Sequence, residues 1–396
     1  MDVHVPEIPA TYNDFAAGLR AFVARERPVL GWKQRSGLRA PEDAEDVDAL
    51  RRWTRATYDA GYRLARFATG PEEFDPYEQR IIVRELSAAG VPYVLGNPLV
   101  SGALKAFGTP DQQDRYLPPM ARGDHIWTQL FSEPDAGSDL ASLTTSARLE
   151  GDHYVVNGQK VWSTWAQWSD YGYLLARSEP KAGPGGISAF VLDMHAPGVE
   201  VRPLREMTGT TDFNEVFLHE VRVPVGDLIG EAGAGWMVAQ TSLLTEREGV
   251  GGSGGGVADG LVDLARHHRR RGRPVIEDDA VRQAIGAFEA RSRILKALGY
   301  RVATKALVGA VDPWDAPLAK IWYSELNLEV AEYALSLQGA RGSLVEGDPG
   351  AWDDGSWQDR FLYARALTIA GGSNEIMRNV IAERGLGLPK EPRGTA

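Results

Sequence analysis

Residues 245–256 read "TEREGVGGSGGG". Within them, Gly249-Val250-Gly251-Gly252-Ser253-Gly254 is a literal G-x-G-x-x-G. If this is a nucleotide-binding turn, the chain is a parallel α/β protein. That fingerprint works only where the first glycine ends a strand and a helix begins on the last, its N-terminus facing a pyrophosphate. Here the preceding "WMVAQTSLLTERE" spaces Trp236, Ala239, Leu243, Glu246 and Val250 by threes and fours, which is a helical stripe. No strand follows within the length of a βαβ unit. The run therefore reads as a glycine-rich break in a helix. Six glycines in eight residues cost roughly 1 kcal/mol each against alanine inside a helix, so the run needs a reason. Close approach of a ligand or another backbone is the one that glycine supplies. Glu246 shares the apolar stripe, so it is either an edge residue or a carboxyl group with a raised pKa. Glu248 points elsewhere.

Upstream, residues 1–123 carry helical periodicity. "AEDVDALRRWTRATYDAGYRLARF" and "DPYEQRIIVRELSAAG" place apolar residues three and four apart, and "GTPDQQDRYLPPMARG" predicts a turn, a short helix and a second turn. Near residue 124 the pattern changes. "SARLEGDHYVVNGQKVWST" predicts two strands joined at Asn157-Gly158, a hairpin dipeptide. "YGYLLARS", "ISAFVLDM", "GVEVRPL" and "NEVFLHEVRVP" predict further strands, with glycine and proline between them. This spacing, without interleaved helices, predicts a small antiparallel barrel or sandwich. From Gly235 helices return, near 235–271, 278–310, 313–338 and 357–385. The fold class expected is α+β, mostly α: a helical region 1–123, a β domain 124–234 and a helical region 235–396.

Composition narrows the function. The chain has 396 residues, 43% hydrophobic and 24% charged, with a net charge of −11. That charge argues against nucleic acid as a partner, although "RHHRRRGR" (266–273) can take a local anion. There is no cysteine, so disulfides, thiolate metal sites and a cysteine nucleophile are impossible; no metal site is expected. The first residues, "MDVHVPEIPATYNDF", lack the basic start and apolar run of a signal peptide. No stretch approaches the roughly 18 apolar residues of a membrane helix. A cytoplasmic protein without membrane contact is expected.

Four segments carry a resemblance: "WTQLFSEPDAGSDLASL" (127–143), "VNGQKVWSTWAQWSDYGYLLAR" (156–177), "NEVFLHEVRVPVGDLIGEAGAGW" (214–236) and "ALTIAGGSNEIMRNVIAERGLGLP" (366–389). In this order and at these separations they closely resemble the acyl-CoA dehydrogenase family of flavoproteins, over roughly residues 80–390. The resemblance implies an N-terminal helical domain, a central antiparallel β-barrel domain and a C-terminal four-helix bundle. It implies FAD as cofactor and an acyl-CoA or acyl-carrier thioester as substrate. An electron-transfer flavoprotein is the implied acceptor, and a homodimer or homotetramer the implied assembly, with a heteromer open.

The resemblance also assigns residues. Gln129, Phe131 and Ser132 lie in the segment that runs along the flavin ring, with Ser132 its hydroxyl. Trp162, Ser163 and Thr164 match the "WST" segment, the indole against the flavin and Thr164 within bonding distance. An aromatic face beside an aromatic cofactor is chemically sensible. Ser138 matches a contact to the CoA part of the substrate. Ser373 and Glu375 match contacts to the ribityl and diphosphate region. Gly339 and Gly342 sit in a glycine-rich loop that meets the cofactor of a neighbouring subunit. The family's Arg-x-x-Phe-Gly becomes His268-Arg269-Arg270-Arg271-Gly272, which lacks the phenylalanine; Arg269 is taken as the pyrophosphate ligand. A proline-and-glycine motif is also missing, and residues 64–76 occupy its place.

Many relatives carry the catalytic glutamate directly before a glycine of the C-terminal motif. That position is Gly371, on the substrate side, and it has no group to act as a base. A second subgroup places the glutamate on the first long helix after the β domain, just before an arginine. Glu246-Arg247 matches it, with Glu246 as the α-proton base and Arg247 steadying the substrate's carbonyl end. Same-fold oxidases and monooxygenases, and a cofactor-completing subunit of a heteromer, are the alternatives. The glycines at 249–256 leave room for a branched, cyclic or steroid-derived acyl group.

Overall fold

The structure, a computed structural model, describes residues 7–30, 41–64, 74–91, 95–181, 183–242, 256–307 and 310–390. The chain divides into two compact units. One is Pro6–Gln34 with Leu38–Thr245; the other is Glu246–Ala396 with Met1–Val5 and Arg35–Gly37.

The first unit opens with helices α1 (Asn13–Glu26), α2 (Ala44–Asp59), α3 (Pro76–Ala88), α4 (Pro98–Phe107) and α5 (Pro110–Arg122). Local chemistry sets their ends. Asp43 accepts the Asp46 amide at the start of α2. Thr109 and Gln112 form a reciprocal capping box at the start of α5, with Oγ1 accepting the Gln112 amide at 3.2 Å and Oε1 the Thr109 amide at 3.0 Å. The sequence predicts only a short helix here. Instead α5 continues through Pro118 and Pro119 to Gly123, which ends it at φ 74°. Buried Tyr116, Leu117 and Met120 offset the hydrogen bonds that the prolines remove.

The sheet follows: β1 (Trp127–Leu130), β2 (Ser146–Glu150), β3 (His153–Thr164), β4 (Tyr171–Arg177), β5 (Ile187–Asp193), β6 (Val199–Leu204), β7 (Phe213–Pro224) and β8 (Leu228–Ile229). Its order is β6-β7-β3-β2-β4-β5-β8, with β1 also on β4. Among the described residues no pairing joins β6 to β8. One expectation is corrected: the sheet is mixed and not purely antiparallel, since β1 runs parallel to β4, and β2 meets β4 in parallel through the single pair Ser146–Arg177. The long connection between them, residues 131–170 with β2 and β3, brings β4 back in the direction of β1, which a tight hairpin cannot do.

Asn157-Gly158 is not a hairpin turn. β3 runs straight through it, and the reversal lies between Glu150 and His153 around Gly151, φ 63°. Gly158 is required for another reason: a Cβ there would lie 2.4 Å from Thr145 Oγ1. Asn157 accepts the Glu220 amide at 3.0 Å and holds a bulge in the facing strand.

β4 and β5 are buried on both faces. Tyr173, Leu175, Ala189 and Val191 pack towards α4, α5 and a helix α6 that begins at 235 and is described to 242. Leu174, Ala176, Phe190 and Leu192 pack towards Ala147, Val156, Val216 and Val221 on β2, β3 and β7.

In the second unit, α7 (Leu261–His267) leads into a two-stranded ribbon, β9 (Arg269–Arg270) and β10 (Arg273–Pro274). The helix expected through 271 therefore stops at His267. Arg271 and Gly272 take φ of 53° and 82°, both positive, as a two-residue hairpin turn requires. α8 (Asp279–Leu307), α9 (Asp315–Gln338), α10 (Ser356–Leu367) and α11 (Asn374–Val380) follow. Leu264, Leu295, Leu326, Val330, Ala334 and Trp357 form their core. The run expected as one helix over 357–385 is broken between α10 and α11, where Gly371 and Gly372 adopt φ of 67° and 92°. Among the described residues no helix is long and apolar enough to cross a membrane.

Candidate active site

In the first unit, two segments of the expected flavin site lie side by side. Gln129, half-buried on β1, pairs with Tyr173 of β4. Phe131 is buried, its ring edge-on to Tyr173 at 4.9 Å. The Ser132 carbonyl accepts the Val161 amide at 2.9 Å, so the backbone after β1 is tied to β3.

At that point β3 bulges. Lys160 pairs with Val216 and Ser163 with Asn214, so Val161 and Trp162 together face the single residue Glu215. Trp162 takes φ 60°, and its indole is 60% exposed. An aromatic residue in left-handed backbone, exposed at a bulge, carries both strain and unsatisfied apolar surface. A flat aromatic ligand would use both.

The same bulge turns Ser163 inward. It is fully buried, and its Oγ has no hydrogen-bond partner, nor has Asn214 Oδ1. The Ser163 carbonyl accepts Asn214 Nδ2 at 3.0 Å, and the Thr164 carbonyl accepts Thr128 Oγ1 at 2.8 Å. Trp162 and Ser163 thus point opposite ways, and the Ser163 hydroxyl is not on the Trp162 surface. Ser138 is exposed in the loop after Ser132.

Sequence reasoning missed one pair here. Lys160, fully buried, donates to the Phe131 carbonyl at 3.0 Å and to Glu133 Oε1 at 2.9 Å. Glu133 Oε2 accepts the Thr144 amide and hydroxyl at 2.7 and 2.8 Å, and Oε1 the Thr145 amide at 2.8 Å. Burial pushes the Glu133 carboxyl up, but the Lys160 charge and these hydrogen bonds outweigh it and hold it at about 2. Burial lowers Lys160 to about 8 against the pull of Glu133. At neutral pH both are charged. Strand parity could have found the lysine, since Val156 and Lys160 share a face.

In the second unit, a cavity of about 520 Å³ is lined by His267, His268, Arg269, Gln338, Ala340 and Arg341. Gln338 is buried with its Nε2 unpartnered. Two guanidinium groups and a spare amide donor suit an anion. Arg269, not Arg270 or Arg271, reaches this wall. Trp352 packs on His267 at 4.1 Å. Burial lowers the His268 pKa, helped by His267 and Arg341. Gly339 ends α9 at φ 58°, ψ −132°, a conformation suited to glycine.

Ser373 starts α11, its Oγ accepting the Ile376 amide at 3.3 Å, and Glu375 is exposed. A hydrogen bond accepted from its own backbone amide, with one from Ser373, lowers the Glu375 pKa. Gly371 lies in the turn between α10 and α11, a turn gripped by Lys320 of α9. Glu246, Arg247 and the glycines 249–255 lie outside the described residues, as do most of residues 64–76.

The first unit thus presents an exposed aromatic bulge suited to a flat ligand, and the second a cationic cavity suited to an anion. The sequence profiles of the acyl-CoA dehydrogenase N-terminal, middle and C-terminal domains match residues 12–124, 128–221 and 233–386. The chain belongs to the acyl-CoA dehydrogenase family, whose members are flavoproteins.

It is 39% identical over 305 residues to the acyl-CoA dehydrogenase IpdE1 of Mycobacterium tuberculosis, spanning 76% of each chain. Among solved structures it resembles the Tcur3481-Tcur3483 steroid ACAD, with a TM-score of 0.80, 28% identity, and 99% of this chain and 100% of that one covered. It also resembles a chain of the ChsE4-ChsE5 complex from Mycobacterium tuberculosis, with a TM-score of 0.77, 28% identity, and 99% and 100% coverage.

Proposed function

We propose that the protein is an FAD-dependent dehydrogenase that introduces an α,β-double bond into an acyl-CoA thioester. The observation that carries this is Trp162, held out of the sheet by a bulge whose backbone is bonded to Ser132. Gln129–Ser132 and Trp162–Thr164 would hold the ring system. Arg269, Arg341 and Gln338 would hold a diphosphate, with Gly339, Ser373 and Glu375 beside the cofactor. Bound FAD would supply a two-electron acceptor for the β-hydrogen.

The chain's own task is the α-proton. Glu246 is proposed as the base, since Gly371 has no side chain to serve, and Arg247 as its neighbour on the substrate's carbonyl side. Ser138 would meet the CoA portion. A base of this kind works best when desolvated, its pKa brought closer to that of its target. The domains proposed are 1–123, 124–234 and 235–396, the last a helical bundle.

The substrate class is proposed from two supports. The glycine run beside Glu246 removes side chains from the base-bearing segment, and a structural relative is titled a steroid ACAD. A bulky cyclic or steroid-derived acyl-CoA follows. Two of the related structures carry two-chain titles, which supports an assembly with a second, related chain. An electron-transfer flavoprotein is the proposed acceptor.

The test is anaerobic bleaching of the purified flavoprotein by a panel of acyl-CoAs. Rapid bleaching by cyclic or steroid-side-chain thioesters, with slow reoxidation by O2, is expected. A preference for short straight chains overturns the substrate class, and fast reoxidation favours an oxidase or monooxygenase.

A further inference from the structure

We infer that the buried Lys160–Glu133 ion pair is a positioning device that sets the spacing between the Ser132 backbone and the Trp162 bulge. This rests on the reading that a flavin lies along those two segments. Three bonds converge on three consecutive residues. Lys160 Nζ meets the Phe131 carbonyl at 3.0 Å and Glu133 Oε1 at 2.9 Å, and the Val161 amide meets the Ser132 carbonyl between them at 2.9 Å. The next residue of β3 is Trp162. Glu133 is the fixed end, since Thr144 and Thr145 occupy both its oxygens. Lys160 is the arm that carries the constraint to the bulge.

Stability alone does not account for the pair. Apolar side chains of similar volume often hold a core as well as a buried ion pair or better, because desolvating two charges is costly. What they cannot do is fix a carbonyl oxygen and a carboxylate at hydrogen-bond distance from one point. That fixed geometry keeps Ser132 facing the bulge.

The test uses the full-length flavoprotein in four forms: wild type, Lys160→Met/Glu133→Leu, Glu133→Asp and Trp162→Gly. The double variant removes both charges and fills the space. Its apo form is expected to melt lower, since the Phe131 carbonyl and the Thr144 and Thr145 amides lose their partners; measured on folded protein well below that melt, its FAD dissociation constant rises about tenfold or more and the visible flavin band loses its resolved shoulder. Glu133→Asp keeps the pair but shortens the anchor, and should shift the flavin band with little change in melting temperature. If both variants bind FAD with wild-type affinity and spectrum, the inference is overturned. If they bind normally while Trp162→Gly loses flavin, the inference falls and the site reading stands. If wild type and Trp162→Gly bind FAD alike, the site reading fails and takes the inference with it.

Discussion

Lys320 Nζ lies 2.8 Å from the carbonyl oxygen of Gly372, and the lysine is 2% exposed. The same ammonium donates to the Thr368 carbonyl at 3.2 Å and to Asn374 Oδ1 at 2.8 Å. Helix α9 thus grips the turn between α10 and α11 at three points. Lys320→Met strips a donor from the part-buried Thr368 and Gly372 carbonyls and the buried Asn374, at a cost of about 1–3 kcal/mol. Urea unfolding should register that loss, and a loss below about 1 kcal/mol would contradict the grip.

Trp162→Gly separates binding from folding. The indole is 60% exposed, and its backbone is left-handed, so glycine relieves about 1 kcal/mol of strain and gives up little burial. The apo protein should be as stable as wild type or slightly more so, while flavin affinity falls. Calorimetry of the apo form and fluorescence titration of FAD read the two effects separately.

The arginine run should resolve into one ligand and two bystanders. Arg269 lines the cationic cavity; Arg270 and Arg271 do not. Arg269→Ala should weaken FAD binding by about tenfold, roughly one charge-assisted hydrogen bond. Arg270→Ala and Arg271→Ala should leave it within about twofold, below the worth of one such bond. Equal effects from all three would show a diffuse field and not a site.

Acid should loosen the first unit through Glu133. Its carboxyl is held at about 2 in the folded chain against an ordinary 4.5. The folded state therefore binds fewer protons than the unfolded chain between these values. The stabilisation is complete above pH 4.5 and is lost as the pH falls towards 2. The shift is worth about 3 kcal/mol. Lys160 adds nothing to this acid loss, being protonated in both states below its folded value of about 8. Denaturant midpoints at pH 6, 4 and 3 should fall for wild type, and fall less for Glu133→Gln.

Glu246→Gln should keep the flavin spectrum and slow anaerobic bleaching by roughly 10³-fold or more, the scale of a lost general base. Bleaching at the wild-type rate would move the base elsewhere.

Much of this architecture was legible because its signals are local. The runs at 171–177, 187–193 and 213–224 read as strands from their apolar, β-branched and aromatic residues, and those strands form. Trp162 was legible only through its motif. Nothing in its neighbours announces a left-handed exposed tryptophan. The failures share a cause: a local signal was put to another use by a distant partner. Asn157-Gly158 has hairpin chemistry, but Thr145 and Glu220 employ it inside a strand. The apolar periodicity of 357–385 is unbroken by eye, yet Gly371 and Gly372 turn the chain where Lys320, about fifty residues earlier, holds it. Parity places Lys160 on the buried face of β3 but does not show why it is tolerated there: its partners Phe131 and Glu133 lie on another segment.

The two bulges of the β3–β7 ladder bear on how this family can vary. At the first, β7 carries one extra residue, between the pairs Val156–Val221 and Gly158–Leu218. At the second, β3 carries it, between Lys160–Val216 and Ser163–Asn214. The second cancels the first, much as a suppressor restores a reading frame. His153 to Val156 and Ser163 to Thr164 share one phase, and only Gly158 to Lys160 is displaced. Losing a residue at Trp162 alone would throw the end of β3 out of frame. Losing Glu220 along with it would restore the frame. Insertions and deletions at these two places, Trp162 and Glu220, nearly sixty positions apart in the chain, are therefore expected to come and go together.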